Sequence, residues 1–319
     1  MGLASHADTL RIATFNTELS RKGPGLLLRD IGKGAEDVEY VLARMADVDA
    51  DVWVLQGIDY DMGGLALSAL AERAGYSHSF AAAPNAGVDT GLDVDGDGRL
   101  GGPRDAHGYG WFSGQGGIAV VSRYPVTLER DLSDLVWAEV PWAELPIADG
   151  RPFYPEEVSA ALRLSSVGHW ALTVDAPGGP FTLLTAYATT PVFDGPEDRN
   201  GLRNADELRL MEEMVGEAGP RFVVAANFNL DPEAGDGKRE VIAGFLADTR
   251  LQDPHPGEPT VDFGESSAGK LRVSYVLPSA SFDIMDAGVA WQEPPDSRGD
   301  VRFTRHHPVW VDLVLDGGG

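Results

Sequence analysis

Residues 221–232, RFVVAANFNLDP, form an apolar run rich in β-branched residues that ends abruptly in polar side chains. Such a run is typical of a buried β-strand that delivers polar groups to a site at its end. Because side chains alternate along a strand, we expect Asn227, Asn229 and Asp231 to share one face. A turn that only closes a core strand is the alternative, since Asn, Asp and Pro are common turn residues.

Similar apolar runs recur along the chain and alternate with amphipathic segments. The sequence predicts strands at residues 10–15, 51–56, 117–122, 162–174, 181–187, 271–277, 282–291 and 308–315. Helices are predicted at residues 36–48, 65–74, 203–215 and 241–246, where apolar residues recur at helical spacing. This order of strands and helices indicates a layered α/β fold. Residues 131–157, rich in Trp and Pro, are expected to form an irregular lid or rim.

Length and composition favour one soluble domain. The chain has 319 residues, 43% of them apolar, and no run approaches the length of a membrane span. We expect a tail at residues 1–9 and a single domain at 10–316, with a Gly/Asp-rich insertion at about 83–117. No charged head followed by an apolar stretch is visible, so the cytoplasm is the expected compartment. A trimmed signal peptide would leave a secreted or periplasmic location open, and the oligomeric state is not indicated.

Cysteine content and net charge exclude some sites and partners. The chain has no cysteine, which excludes disulfides, thiolate nucleophiles and thiolate zinc sites. Fifty acidic residues against 25 basic ones give a formal net charge of -25. Because this charge repels the phosphate backbone, nucleic acid is not an expected partner. A membrane is not an expected partner either, since no apolar run approaches the length of a span.

An Asp-rich loop at the centre of the insertion has the spacing with which a calcium-binding loop begins, including a glycine directly after the third Asp. The predicted ligands are Asp93, Asp95, Asp97, Arg99 through its backbone carbonyl, and Asp105. The twelfth position, where a bidentate Glu is usual, holds Arg104. We expect a structural calcium that clips a long loop, with a plain Asp-Gly turn as the alternative.

The segments TFN, LQ, GIAVVSRYPV, PVFDGPEDRNG, NFNLDP, RVSYVLPS and HHPVWVDL follow one another in this order. In this respect nearly the whole chain resembles the endonuclease/exonuclease/phosphatase superfamily, which has the deoxyribonuclease-I-like fold, and in particular a bacterial subgroup of it. The resemblance implies a four-layer sandwich of two packed β-sheets flanked by helices. It also implies a divalent metal, usually magnesium or manganese, and a His-Asp pair at the strand ends, with hydrolysis of a phosphate ester as the reaction.

The chain departs from the family pattern at the chemical positions. The residues that replace the family's metal-binding Glu, catalytic His and three Asp are Gly57, Tyr187, Asn227, Ser274 and Arg305. The residues that match the pattern are Asn16, Gln56, Asn229 and His306. Magnesium requires anionic oxygens to offset its dehydration, so no catalytic metal is expected here.

These replacements predict a repurposed active site. Tyr187, Arg305 and His306 would form a cationic, hydrogen-bonding pocket for acid-base chemistry on a small organic molecule, such as an isomerisation, cyclisation or elimination in biosynthesis. The full set of candidate catalytic residues is Asn16, Glu18, His169, Tyr187, Asn227, Asn229, Arg305 and His306. For His169 a structural role is the stronger interpretation.

Two alternatives stay open at this point. The first is a divergent phosphodiesterase, phosphatase or nuclease, in which Asp59, Asp61 or Asp231 rebuilds a magnesium or manganese site. The second is a non-catalytic binding protein that keeps the cleft as a receptor. A cleft lined by aromatic side chains would favour an organic ligand over a polyanion; the candidates are Trp137, Trp142, Phe153 and Tyr154.

Overall fold

Most of the predicted strands and helices are present in the structure, a computed structural model that describes residues 9–264, 267–297, 299 and 301–315. Residues 1–8 of the predicted tail and residue 316 of the predicted domain lie outside the described residues. The strands are β1 Thr9–Asn16, β2 Val52–Ile58, β3 His78–Phe80, β4 Gly117–Ser122, β5 Val126–Asp131, β6 Ile147–Ala148, β7 Arg151–Pro152, β8 Gly168–Val174, β9 Phe181–Tyr187, β10 Phe222–Asn227, β11 Val261–Asp262, β12 Lys270–Leu271, β13 Ser274–Pro278, β14 Ile284–Val289 and β15 Val309–Val314. The helices are α1 Leu26–Lys33, α2 Glu36–Val48, α3 Leu65–Ala74, α4 Glu156–Ser159, α5 Arg199–Glu217 and α6 Arg239–Leu246.

The strands form two large sheets. The first has six strands in the order β14-β15-β1-β2-β4-β3, and the second has five in the order β13-β10-β9-β8-β5. β1 and β2 run parallel, and so do β9 and β10. The other neighbouring strands of both sheets are antiparallel. Each sheet therefore presents the carboxyl ends of two parallel strands at one edge.

The two sheets pack face to face through their apolar side chains. Ile12 and Val54 of the first sheet share one cluster with Leu183 and Val223 of the second, and all four are fully buried. Burial on this scale supplies most of the stability of such a fold.

Helices cover the outer faces of both sheets. Ile31 of α1, Met45 of α2 and Leu70 of α3 lie in the cluster that covers the first sheet. Met211 of α5 and Phe245 of α6 lie in the cluster that covers the second. The order of layers is helices, sheet, sheet, helices, so the predicted four-layer α/β fold is confirmed.

Some element boundaries differ from the predictions. β8 begins at Gly168, so residues 162–167 of the predicted strand 162–174 are a loop. Leu162 and Leu164 of this loop are buried, which explains the strand-like apolar pattern. α5 begins at residue 199 rather than 203, and α1, β3 and β5 have no counterpart among the predicted elements.

The insertion contains no named strand or helix between β3 and β4, within residues that the structure describes throughout. Isolated bridges between Ala86 and Gly108 and between Asp89 and Ala106 tie its two halves together. Residues 131–157 are also largely irregular, with a 3-10 turn at Trp137–Glu139 and the small β6-β7 hairpin. None of the helices in the described residues has both the length and the apolar character that crossing a membrane requires.

Candidate functional site

The alternation that buries apolar side chains between the sheets continues to the ends of five strands, where polar side chains take over. We call these inward-facing residues the strand-end layer: Thr14, Asn16, Gln56, Thr185, Tyr187, Asn227 and Ser274. The backbone register places Asn16 beside Gln56, and Asn227 between Tyr187 and Ser274. Because β1 packs against β10 and β13 of the other sheet, the two halves of the layer meet.

Several polar atoms in and beside this layer are buried without a hydrogen-bond partner among the described residues. They are Gln56 Oε1, Thr185 Oγ1, Asn227 Nδ2, Ser274 Oγ and His306 Nδ1. Folded proteins pair nearly all buried polar groups, because an unpaired one costs about 1–3 kcal/mol. Their concentration at one edge of the core indicates a site for chemistry or binding rather than a structural network.

Tyr187 links the two sheets at this edge. Asn16 Nδ2 donates a hydrogen bond of 3.2 Å to the Tyr187 hydroxyl, and the Thr304 hydroxyl holds the Asn16 carbonyl at 2.8 Å. Burial raises the pKa of Tyr187. The phenol therefore stays protonated at neutral pH and can donate a hydrogen bond or a proton to a ligand oxygen.

Glu18 and Arg305 form an ion pair beside the layer. Arg305 Nη2 lies 2.8 Å from Glu18 Oε1, and the Arg305 backbone N–H donates to Glu18 Oε2 at 3.0 Å. Burial acts to raise the pKa of Glu18, but His306 and Arg305 outweigh it and hold that pKa below its ordinary value. The predicted proximity of Arg305 to the site is found, and its charge is compensated by Glu18.

His306 is buried next to this pair. Its backbone N–H donates to the Thr304 hydroxyl at 3.1 Å, and its ring packs edge-on against Phe263 with 5.9 Å between centroids. Burial lowers the pKa of His306 to about 4, so the imidazole is neutral at pH 7. It can accept a hydrogen bond or a proton, although no carboxylate orients it through Nδ1.

Gly57 is the residue predicted to replace the family's metal-binding Glu, and its backbone is left-handed with φ of 75°. A Cβ atom at this position would lie 3.0 Å from the Glu18 backbone nitrogen and 3.1 Å from Asn16 Oδ1. Both the conformation and the space therefore favour glycine. The first turn of chain after β1 fills the volume in which a longer side chain would begin.

The residues at the strand ends do not fit a magnesium or manganese ion. Gly57 offers no ligand atom, and Asn227 and Ser274 are neutral, with the Asn227 amide N–H₂ left as an unpaired donor. The carboxylate of Glu18 is already paired with Arg305. A divalent cation needs anionic oxygens to replace its water shell, and this arrangement does not supply them.

The three carboxylates considered for a rebuilt metal site are engaged elsewhere. Asp59 accepts hydrogen bonds from the backbone N–H groups of Arg21 and Gly116, both shorter than 3 Å. Asp61 caps the start of α3. Asp231 binds the N–H groups of the following turn and of Arg272. The prediction that Asn227, Asn229 and Asp231 share one face is therefore wrong for Asn229 and Asp231.

The change of direction occurs at Asn229, which has a φ of 52° and so leaves the extended conformation. Its side chain donates to the Ala188 carbonyl at 2.8 Å, and its backbone N–H donates to Asn227 Oδ1 at 2.9 Å. Asn229 thus holds the chain after β10 against the chain after β9. The turn interpretation holds for this residue, which nevertheless lines the cavity described below.

His169 lies outside the site. Its side chain is fully buried, Nδ1 is 2.7 Å from the Ser165 hydroxyl, and Nε2 is 3.0 Å from the Glu207 carbonyl. Both ring nitrogens are therefore satisfied, which corrects the catalytic assignment in favour of the structural one.

A cavity of about 650 Å³ lies next to the strand-end layer and shares Tyr187 with it. The insertion, the loop after β9 and the first turns of α5 enclose it. Its polar and aromatic lining includes Asp95, Arg104, Tyr109, Tyr154, Ser166, Thr189, Phe193, Arg199, Asn200, Arg203 and Asn229. Sequence reasoning missed this cavity, because its walls come from segments far apart in the chain.

Of the four aromatic residues expected to line a cleft, only Tyr154 is among those that line this cavity. Trp137 is buried and donates to Asp206 at 2.7 Å, and Trp142 donates to Glu213. Phe153 packs against Tyr154 with 5.0 Å between ring centroids. Trp137 and Phe153 thus pack against the ring of Tyr154 and support it.

The acidic loop of the insertion brings three carboxylates together. Oxygens of Asp93, Asp95 and Asp97 lie within 4.8 Å of one another, a cluster that suits a hard cation such as calcium. Asp105, the fourth predicted carboxylate ligand, is not part of the cluster. Its oxygens accept hydrogen bonds from the N–H groups of Val94 and Gly102, at 2.9 and 2.8 Å. Asp105 therefore ties the two ends of the loop together.

Solved structures with the same architecture extend this picture. An endonuclease/exonuclease/phosphatase from Beutenbergia cavernae DSM 12333 is 19% identical with a TM-score of 0.60, over 97% of this chain and 72% of that one. A 3'-5' exonuclease (NExo) from Neisseria meningitidis is 16% identical with a TM-score of 0.52, over 95% and 99%. Sphingomyelinase C from Streptomyces griseocarneus is 15% identical with a TM-score of 0.53, over 96% and 99%.

At these identities the likeness shows the fold alone. A comparison with curated proteins finds no match. The sequence model of the Endonuclease/Exonuclease/phosphatase family matches residues 13–306, and the chain therefore belongs to that family.

Proposed function

We propose that this protein binds and transforms a small organic molecule by acid-base chemistry, without a catalytic metal. One observation carries the proposal. Among the strand-end layer and its neighbours Glu18, Arg305 and His306, the single carboxylate is Glu18, and Arg305 neutralises it at 2.8 Å. A site with this charge pattern favours a neutral or anionic ligand over a metal cation.

The groups at the site suit proton transfer. The protonated Tyr187 hydroxyl would donate to a ligand oxygen, and neutral His306 would accept a proton from the ligand. Arg305 would stabilise negative charge that develops between them. Isomerisation, cyclisation and elimination need only such transfers, and no oxidant or reductant.

The test is hydrolysis of p-nitrophenyl phosphate, bis-p-nitrophenyl phosphate and plasmid DNA with magnesium, manganese or EDTA. Beside the natural protein we would assay a variant that restores the family pattern through Gly57→Glu, Tyr187→His, Asn227→Asp, Ser274→Asp and Arg305→Asp. We expect no metal-dependent turnover from the natural protein. Turnover that needs magnesium and disappears in EDTA would overturn the proposal and favour the divergent phosphoesterase.

The structure adds a control to this experiment. Because Gly57 is left-handed and crowded, Gly57→Glu strains the restored variant. A second variant that keeps Gly57 and carries the other four changes separates damage to the fold from absence of chemistry. Thermal unfolding of both variants would report the difference.

We further propose that the insertion holds a structural calcium ion at Asp93, Asp95 and Asp97. Calcium should raise the melting temperature relative to EGTA, because a ligand that binds only the folded state stabilises it. Asp97→Asn should reduce this gain, whereas Asp89→Asn in the same insertion should not. An equal gain with either variant would contradict the assignment.

A further inference from the structure

The cavity beside Tyr187 contains an arginine that is buried without an ion pair. Arg203 of α5 is 9% exposed and lines the cavity. Its Nε and Nη2 donate to three backbone carbonyls, those of Leu164, His107 and Arg163, at 2.5 to 2.8 Å. This network fixes the guanidinium in place and leaves Nη1 without a protein acceptor among the described residues.

Glu207 of α5 makes no hydrogen bond or ion-pair contact with Arg203, although the two charges attract each other through space. Both oxygens of Glu207 accept from neutral donors, the N–H and hydroxyl of Ser166 and the N–H of Thr189, at 2.6 to 2.7 Å. A buried guanidinium usually has a carboxylate partner, because removing its charge from water is costly. Arg203 instead lines an open cavity, and its Nη1 has no acceptor among the described residues.

Two more cations line the same cavity. Arg104 of the insertion is exposed and has no ion-pair or hydrogen-bond partner among the described residues. Arg199 is paired with Glu197 and lies 5.6 Å from the centroid of the Phe153 ring. The N-terminus of α5 adds no free positive charge, because the Asn200 N–H donates to Asp194 at 2.6 Å and the N-cap residue is Asp198.

The remaining lining is both acidic and aromatic. Asp95 is the acidic side chain in the wall, and it lies in the acidic loop that a cation would neutralise. Tyr109, Tyr154 and Phe193 supply aromatic surface. Phe193 is 83% exposed with a φ of 70°, an uncommon conformation for an aromatic residue that points to a functional placement.

We propose that this cavity binds a small organic anion, with its carboxylate or phosphate group on Arg203 and its apolar body against the aromatic wall. Arg104 and Arg199 would complete the anion site from the rim. Tyr187 would then reach the bound molecule from the strand-end layer. The inference rests on the proposed function, since it names the ligand class of that site. In a protein of net charge -25, such a local group of cations is needed to retain an anion.

The test uses 4-fluorobenzoate, 4-fluorophenyl phosphate and the neutral 4-fluorobenzamide, titrated into the full chain once in EDTA and once with calcium, and followed by fluorine NMR. The first two distinguish a carboxylate from a phosphate, and the third removes the charge. We expect saturable binding of at least one anion and a weaker response to the amide. Equal binding of the amide would overturn the inference.

Variants locate the anion. Arg203→Gln should weaken anion binding about tenfold, as expected for a lost charge-assisted hydrogen bond. Since this change also removes bonds to three carbonyls, Arg104→Gln provides the test that does not depend on folding, with an expected loss of about threefold. The matched control is Arg151→Gln, an exposed arginine of β7 that does not line the cavity. An equal loss in Arg151→Gln would overturn the inference.

The same titrations separate the two proposals. Absence of saturable anion binding in EDTA, in calcium and in magnesium would refute the anion site and leave the metal-free chemistry standing. Anion binding that appears only with magnesium, and is insensitive to Arg104→Gln, would refute both.

Discussion

The space between the two sheets has two parts that follow different packing rules. Along β9, Leu183 is fully buried among apolar neighbours of both sheets. Four residues further on the same face, Tyr187 lies in a layer where buried polar atoms are left unpaired. A single strand therefore passes from packing that serves stability to packing that leaves hydrogen-bonding capacity free.

Three of the residues that the sequence predicts to depart from the family pattern belong to one of these two parts. The apolar half keeps the regular alternation that the four-layer fold requires. Gly57, Asn227 and Ser274, which are predicted replacements, all lie in or beside the polar half, where they are buried and ordered by neighbouring strands. A chain that had lost its constraints would be expected to collect polar residues in the apolar half as well.

The largest effect is expected in the apolar half. Leu183→Ala should lower the free energy of unfolding by about 3 kcal/mol, because it removes buried methyl groups and leaves a cavity between rigid sheets. Urea denaturation at pH 7 would measure the change. A loss below about 1 kcal/mol would mean that the sheets move together and close the gap.

The next effect depends on pH. Burial lowers the pKa of His306 to about 4, whereas an unfolded histidine titrates near pH 6.5. Between these values the unfolded chain binds a proton that the folded chain does not, so stability falls as the pH falls from 6.5 to 4. The contribution of this residue approaches about 3 kcal/mol at the acidic limit.

The measurement for His306 is urea denaturation at several pH values between 7 and 4. His306→Gln should flatten the pH dependence relative to the natural protein. His169→Gln is the matched comparison, since burial lowers the pKa of His169 to about 4 as well. An unchanged slope in His306→Gln would show that the imidazole is protonated in the folded state.

A smaller effect is expected at Gly57. Gly57→Ala should cost about 1–2 kcal/mol for the left-handed backbone, plus the cost of the contacts at 3.0 and 3.1 Å. Gly91→Ala is the matched control, because Gly91 has a φ of 73° but no atom within 4 Å of an added Cβ. Equal losses in thermal unfolding would show that crowding by Glu18 and Asn16 contributes nothing.

The smallest effect on stability is expected for Tyr187→Phe. The hydroxyl takes part in one long hydrogen bond, at 3.2 Å from Asn16, so its removal should cost less than about 1 kcal/mol. Its effect on ligand turnover should be far larger, because the change removes the proposed proton donor. A loss of several kcal/mol in urea denaturation would reassign Tyr187 to the structural core.

The sequence predicted the regular parts of the fold well. α2 and α3 lie at the predicted residues, because their apolar spacing is strongly periodic. β5 was missed since it is an edge strand with mostly exposed residues. The strand predicted at 162–174 was too long, because loop residues such as Leu164 are buried without being in a sheet.

The candidate site was predictable only in part. Asn16, Glu18, Tyr187, Arg305 and His306 were expected from strand ends and family motifs, and the structure brings them together. The left-handed backbone conformation of Asn229 and the structural role of His169 depend on contacts that no sequence pattern displays. The hydrogen bonds of Arg203 depend on three backbone carbonyls that lie 39, 40 and 96 residues before it in the sequence.

Asp95 belongs both to the acidic cluster and to the cavity wall. A cation held by the cluster would cancel a negative charge that faces the anion cavity, and it would therefore raise the affinity of the cavity for an anion. Coupled equilibria are reciprocal, so the anion would raise the affinity of the loop for the cation by the same factor. Occupancy of the cavity would then depend on the calcium concentration around the protein, although the ion itself would touch neither the ligand nor Tyr187.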